Sequence, residues 1–351
     1  SSLMRTTIAL VLLAASTHAV AQPAPTWSIA LHGGAGVIER GDLDPATEAA
    51  YRRALAAALE AGSAVLRQGG SSMDAVEAAV RLMEDDPLFN AGRGAVFTAE
   101  GRNELDAAFM DGATLKAGAV AGVTTVKNPI TLARAVMERS PHVMLIGPGA
   151  ERFAAEQKLD LVPPAWFFTE RRWQGLERDL KAKKFPVPAR PAGAPRPTAA
   201  AAQAPLDERK FGTVGVVARD TQGRLAAGTS TGGMTGKRWG RVGDVPVIGA
   251  GTYAEKDCAV SATGSGEYFI RLTVAREICA LRAYKGLSIQ AAADEVIQRR
   301  LTALGGDGGV IALDGRGTSA FSLNTSGMYR ARAASNRPPE VAIYRDEGDR
   351  R

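Results

Sequence analysis

The chain reads as a layered α+β fold with sheets inside and helices outside. Short β-rich runs closed by Gly and Asp turns occur in both halves of the chain. Between them lie segments, several in pairs, whose apolar residues recur at helical spacing. Gly is abundant, at 39 of 351 residues, or about 11% against a usual ~7%, as tight turns and closely packed backbone demand. Hydrophobic residues at 45% and charged residues at 23% exclude a disordered, collagen-like or multi-spanning membrane chain.

The first residues read as an address. Met4-Arg5, the apolar run Ile8–Ala15 and the small-residue site Ala19-Val20-Ala21 make a secretory signal cleaved after Ala21. A periplasmic or secreted protein is therefore expected, with no membrane anchor after cleavage, because the run is too short to span a bilayer. Trp27–Leu31 reads as a strand running into His32-Gly-Gly-Ala-Gly36. Asp44-Pro45 forms an N-cap and first helical residue. Leu55, Leu59, Gly62 and Leu66 keep the helical period until Gly69-Gly70. Ser71 and Asp74 resemble a capping box, and Val76, Ala79, Val80 and Met83 form the next apolar face. Helical segments near 130–139 and 149–157 flank a strand at Val143–Ile146.

Residues 185–205 hold six of the 18 prolines and an Ala run at 199–202, so a disordered or polyproline-like segment is expected. It is either a spacer between two independent domains or an exposed loop beside a processing site. This region also explains the net charge of +6: residues 181–210 carry seven Lys/Arg and two acids, a local +5. The excess is one segment rather than a nucleic-acid footprint.

Thr213–Ala218, the turn Asp220–Gly223 and Leu225–Ser230 make a hairpin. Centring the turn on Gln222 sets Thr213 opposite Thr231, with a one-residue slip as the alternative. Helices follow at Glu267–Lys285 and Ser288–Leu301. Gly305–Gly309 leads into a strand at Val310–Leu313, and Asp314-Gly315 turns into Ser319–Leu323. Only two Cys occur, which excludes a disulfide scaffold or zinc module. Cys258 and Cys279 could pair in an oxidising compartment, but their apolar surroundings favour buried free thiols.

The chemistry emerges by elimination. Only three His are present, with no G-x-S-x-G, no H-E-x-x-H and neither phosphate-loop motif. A nucleophile independent of His and metal is needed. Thr213 qualifies if its own α-amine is freed to act as base, with a usual pKa of ~7.7–8.0. Gly212 leaves its carbonyl open to attack by the Thr213 hydroxyl, and an acyl shift followed by hydrolysis would release that amine. The bland alternative is a plain strand entry. Arg241 and Asp244, three residues apart on a Gly-flanked turn, suit the carboxylate and ammonium of an α-amino acid, or form a local ion pair. Thr263 and the Gly backbone after it offer oxyanion donors, or a simple N-cap.

Thr213-Val-Gly-Val-Val-Ala, Thr229-Ser-Thr-Gly-Gly-Met-Thr, Gly240-Arg-Val-Gly-Asp, Thr263-Gly-Ser-Gly-Glu and Leu304-Gly-Gly-Asp-Gly-Gly resemble the plant-type L-asparaginases, or isoaspartyl peptidases, of the N-terminal-nucleophile hydrolases. His32-Gly-Gly-Ala-Gly, Pro87-Leu-Phe-Asn-Ala-Gly-Arg-Gly, Glu104-Leu-Asp-Ala, Met110-Asp-Gly and Leu115-Lys-Ala-Gly-Ala-Val-Ala-Gly extend the resemblance, which covers about 27–345 apart from 181–208. It implies a four-layer αββα sandwich, cut into an α subunit (22–212) and a β subunit (213–351) and assembled as a dimer of such heterodimers. It implies Thr213 as nucleophile, Thr231 as its hydrogen-bonding support, and Arg241 and Asp244 as the substrate clamp. Thr263 and Gly264 become the oxyanion hole, with Gly266 beside the substrate and Asn90 approaching from the α subunit. No catalytic cofactor is implied. A structural sodium on the main-chain carbonyls of Met83, Glu84, Asp86, Phe89, Ala91 and Arg93 is. The implied substrates are asparagine and β-aspartyl dipeptides. Glycosylasparaginase and threonine aspartase share the fold and nucleophile, though glycosylasparaginase usually has Asp where Gly212 stands. A non-enzymatic amino-acid-binding protein using only Arg241 and Asp244 is the alternative from another class.

Overall fold

A computed structural model describes residues 23–197 and 212–348. The expected signal segment, and 198–211 of the Pro/Ala-rich stretch, lie outside the described residues. The chain runs through β1 (Ser28–Gly36), α1 (Pro45–Arg67), α2 (Ser72–Asp85), β2 (Leu105–Asp111), β3 (Ala117–Val123), α3 (Pro129–Arg139), β4 (Met144–Ile146), α4 (Gly147–Glu156) and α5 (Glu170–Ala182). It continues through β5 (Val214–Arg219), β6 (Leu225–Thr231), β7 (Thr252–Glu255), β8 (Cys258–Gly264), α6 (Gly266–Leu272), α7 (Val274–Lys285), α8 (Ile289–Asp294), β9 (Gly308–Asp314), β10 (Ser319–Leu323), β11 (Gly327–Ala334) and β12 (Arg337–Tyr344).

Eight strands form one sheet in the order β12-β11-β1-β5-β6-β2-β3-β4, and four form a second, β10-β9-β8-β7. Ala30, Met110, Val217, Leu225 and Ala227 of the first meet Ala254, Ala259, Ile311 and Leu313 of the second. Leu55, Leu59 and Leu66 of α1, Val76 and Val80 of α2, and Ile130 and Val136 of α3 cover the outer face of the large sheet. Ile278, Ala292, Val296 and Leu301 cover the small one. The result is the α+β, four-layer αββα sandwich expected. The inner strands of each sheet are buried on both faces and rich in small and apolar residues, while the edge strands β4 and β12 are partly exposed.

Local signals hold where chain neighbours decide the outcome. Asp44 caps α1, accepting from the Thr47 amide at 2.8 Å. Ser71 caps α2 through the Asp74 amide at 3.0 Å, while the Asp74 carboxylate turns to Arg134. Three expectations need correction. The single helix over Glu267–Lys285 is broken at Thr273, left-handed at φ 47° and ψ 53°. The amides of Ala275 and Arg276 are drawn off the helix by the carbonyls of Ala250 and Gly249. Cys258 and Cys279 are bonded to each other rather than free, because β8 and α7 pack with their Cα atoms 5.5 Å apart, inside disulfide range. The described part of the Pro-rich stretch has no helix or strand, yet it does bury surface. Arg190 forks onto Glu170 at 2.6 and 2.7 Å, and Ala194 packs against the cluster formed by Phe97, Phe168, Trp173, Leu176 and Leu180. No helix among the described residues is long and apolar enough to cross a membrane.

Candidate active site

The β5–β6 ladder pairs Val214 with Ser230 and Ala218 with Ala226, the register that follows from centring the turn on Gln222. Thr213, one residue before the ladder, therefore faces Thr231, and its Oγ1 donates to Thr231 Oγ1 at 2.9 Å. Thr231 Oγ1 also accepts from the Gly233 amide at 3.0 Å. Both threonines are buried. They open onto a cleft lined by Gly233, Met234, Arg241, Gly243, Asp244, Val245 and Gly264.

Asn90 reaches this point from the loop after α2. Its amide donates to the Gly212 carbonyl at 3.0 Å, and its side chain bonds the Gly233 carbonyl at 2.7 Å and the Val96 amide at 2.9 Å. A Cβ on residue 212 would lie 2.7 Å from Asn90 Cβ, so only glycine fits the junction without displacing the loop.

At the other end of the cleft stands the Arg241–Asp244 pair. Arg241 does not bond Asp244. Its Nε and Nη2 grip Glu267 of α6 at 2.8 and 3.0 Å, leaving Nη1 for an incoming carboxylate. The guanidinium in turn holds the Glu267 carboxyl below the usual carboxylate range. Asp244 is buried, and its Oδ2 has no hydrogen-bond partner among the described residues. Burial pushes its pKa up to about 7. A buried unpaired carboxylate is costly unless something pairs with it, and a substrate ammonium is such a partner. Gly266 lies against Arg241, where a Cβ would come 2.9 Å from Nη2.

Thr263 and Gly264 end β8. Thr263 Oγ1 accepts from the Ala35 amide at 3.3 Å, so its proton is free to be donated elsewhere. The main-chain loop after α2 is curled tightly. Glu84 O accepts from Arg93 N at 2.7 Å and Asp86 O from Phe89 N at 3.3 Å. A Cβ at Gly94 would strike the carbonyls of Phe89 and Pro87. Carbonyl oxygens gathered this way are the donor type a hard cation takes. The end of α2 places Met83 in the core, and the loop after it places Phe89 and Ala91 there and the Arg93 guanidinium 4.4 Å from the Trp166 ring.

The sequence motifs assign His32 no partner. In the structure its Nδ1 lies 3.1 Å from the Thr213 carbonyl and its Nε2 3.1 Å from Ser261 Oγ. Asp106 stands in the sequence only as part of the Glu104-Leu-Asp-Ala motif. It pairs with Thr231 across β2 and β6, buried, with Oδ2 unpartnered among the described residues and its pKa raised by burial. Nothing local to either residue announces these contacts, since both cross between strands distant in sequence.

Residues 25–343 match the family profile described as Asparaginase. The chain is 51% identical to the isoaspartyl peptidase of Escherichia coli (strain K12), over 92% of this chain and 97% of that protein. It is 46% identical to a putative isoaspartyl peptidase/L-asparaginase of Dictyostelium discoideum, over 86% and 92%. It is 39% identical to a plant-type L-asparaginase of Pyrococcus abyssi, over 90% and 99%. With that coverage and a cleft assembled from the motif residues, the chain belongs to the asparaginase family of hydrolases, alongside the isoaspartyl peptidases and plant-type L-asparaginases.

Proposed function

We propose that this hydrolase cuts its own chain between Gly212 and Thr213 and then hydrolyses L-asparagine and β-aspartyl dipeptides with Thr213 as nucleophile. The observation that carries the reading is the Thr213–Thr231 hydroxyl contact of 2.9 Å, in a cleft that also holds Arg241 and Asp244. In the cutting step Thr213 Oγ attacks the Gly212 carbonyl carbon, and the peptide nitrogen leaves as the α-amine, giving an ester. Water then hydrolyses the ester, leaving a Gly212 carboxylate and restoring the hydroxyl. The Asn90 amide on the Gly212 oxygen supports this step, because it faces the atom on which negative charge develops.

In turnover the freed amine takes the Oγ proton as Oγ attacks the substrate's β-carbonyl. Thr263 and Gly264 stabilise the oxyanion. The amine returns the proton to the leaving nitrogen, and ammonia or an amino acid departs. Water then releases aspartate from the β-aspartyl ester. Thr231, steadied by the Gly233 amide, accepts from the nucleophile and aims it. Arg241 and Asp244 fix the head group, so the β-carbonyl rather than the α-carboxylate meets the hydroxyl. Membership of a hydrolase family sets aside the binding-only alternative.

The reading extends to export and assembly. The Cys258–Cys279 bond supports a periplasmic or secreted location, since such bonds persist in oxidising compartments. A dimer of α/β heterodimers and a structural sodium on the carbonyls of the loop after α2 complete the proposal. The ion would brace the loop that carries Asn90.

The test is a denaturing gel with N-terminal sequencing, together with assays on asparagine and β-aspartyl dipeptides. Purified protein is expected as two fragments, the smaller beginning at Thr213, and Thr213→Ala is expected uncut and inactive. Activity in a single unbroken chain, or in Thr213→Ala, would refute the assignment.

A further inference from the structure

We propose that His32 is a positioning residue for the nucleophile: a neutral imidazole that holds the Thr213 carbonyl and is braced by a one-way chain of hydroxyls joining the two sheets. The inference rests on the Thr213 reading above. The β1–β5 ladder ends at His32 opposite Gly215, and β1 bulges between His32 and Gly34 against β11. Beyond the ladder, the Thr213 carbonyl takes its bond from His32 Nδ1 at 3.1 Å. Cutting at Gly212 removes the covalent tether on the amino side of Thr213. The His32 contact is then a principal restraint on how that residue sits.

The direction of the chain follows from chemistry. A carbonyl can only accept, so Nδ1 carries the proton, and in the neutral ring Nε2 then presents a lone pair. Ser261 Oγ, 3.1 Å away, must donate to Nε2. Ser261 then accepts from Thr229 Oγ1 at 2.7 Å, a shorter contact than the one from Thr229 to the Gly251 carbonyl at 3.3 Å. Thr229 accepts from Thr252 Oγ1 at 2.7 Å, again shorter than the contact from Thr252 to the Val245 carbonyl at 3.2 Å. The path runs β1, β8, β6, β7 and so crosses repeatedly between the sheets beneath the cleft. His32, Ser261, Thr229 and Thr252 are all fully buried. Burial pushes the imidazole pKa down to about 3, which keeps the ring neutral throughout the working pH range, and the bond to the Thr213 carbonyl selects its tautomer. Gly215 makes room: a Cβ there would fall on Ser261 Oγ and lie 2.5 Å from His32 Nε2.

Full-length Ser261→Ala, His32→Asn and His32→Gln are compared with wild type by maturation, kcat and KM. The tautomer of His32 is read in the wild type from a long-range ¹H–¹⁵N spectrum. Mature Ser261→Ala is expected to keep its KM for asparagine and to lose kcat about tenfold, the scale of one lost buried hydrogen bond. His32→Asn, which places an amide where Nδ1 stands, is expected to retain more kcat than His32→Gln, which mimics Nε2. The wild-type spectrum is expected to show the proton on Nδ1. Unchanged kcat in mature Ser261→Ala, equal losses in the Asn and Gln variants, or a proton on Nε2 would overturn the proposal. Failure of the nucleophile reading shows separately, as activity in Thr213→Ala.

Discussion

Acidification is expected to weaken substrate binding through Asp244. Burial pushes the pKa of this carboxyl up to about 7 by penalising its charged form, and its Oδ2 has no partner among the described residues. It can clamp an ammonium only when ionised, so proton and substrate compete for it. The ionised fraction falls from about nine-tenths at pH 8 to about one-tenth at pH 6, and KM for asparagine should rise roughly tenfold between them. Succinamate, which is asparagine without the α-amine, supplies the control. It has no ammonium for Asp244 to bind, so its KM should stay flat over the same range while the α-amine of Thr213 changes kcat for both substrates alike. Asp244→Asn should raise KM for asparagine by about 10–100-fold, the worth of a charge-assisted hydrogen bond, and abolish its dependence on pH. The stability effect has the opposite sense. The folded pKa lies above the unfolded one, so the native state binds the extra proton, and this group's contribution to stability falls as pH rises from the ordinary carboxylate range through about 7. Asp244→Asn should therefore melt higher than wild type at alkaline pH, with the gap closing in acid. A KM for asparagine that ignores pH, or that changes in step with the KM for succinamate, would show that Asp244 does not hold the ammonium.

Two further outcomes follow from the geometry. Gly212→Ala puts a Cβ 2.7 Å from Asn90 Cβ and should push the carbonyl off the Asn90 amide. The precursor should then persist at least about tenfold longer on a time-course gel, while fully matured protein turns over normally. Normal maturation would show that the Asn90 contact is dispensable for cutting. Replacing both Cys258 and Cys279 by Ala opens a loop spanning 21 residues and should cost about 3 kcal/mol by chain entropy. Denaturant unfolding measures this, and an unchanged midpoint would mean that packing of α7 on β8 already supplies the restraint.

Much of the cleft from Thr213 onward is legible in the sequence because short segments dictate its geometry. The Asp220–Gly223 turn sets a two-strand register, and that register alone brings Thr213 to Thr231. Arg241 and Asp244 share one turn, so their proximity needs no fold. Helix caps at Asp44 and Ser71 are contacts three residues long. Tertiary packing decided the rest. Asn90 meets Gly212, and His32 meets Thr213 and Ser261, only because β1, β5 and the loop after α2 are neighbours in space. Glu267 captures Arg241 because the start of α6 packs beside the turn that carries Arg241, and the helix breaks at Thr273 where the carbonyls of Gly249 and Ala250 take the amides of Arg276 and Ala275. Cys258 finds Cys279 because a helix lies across its strand. Local chain geometry is written in turn and cap residues. Contacts between strands more than a hundred residues apart depend on loop closure and on burial shared by the whole sandwich, and no single segment carries a mark of them.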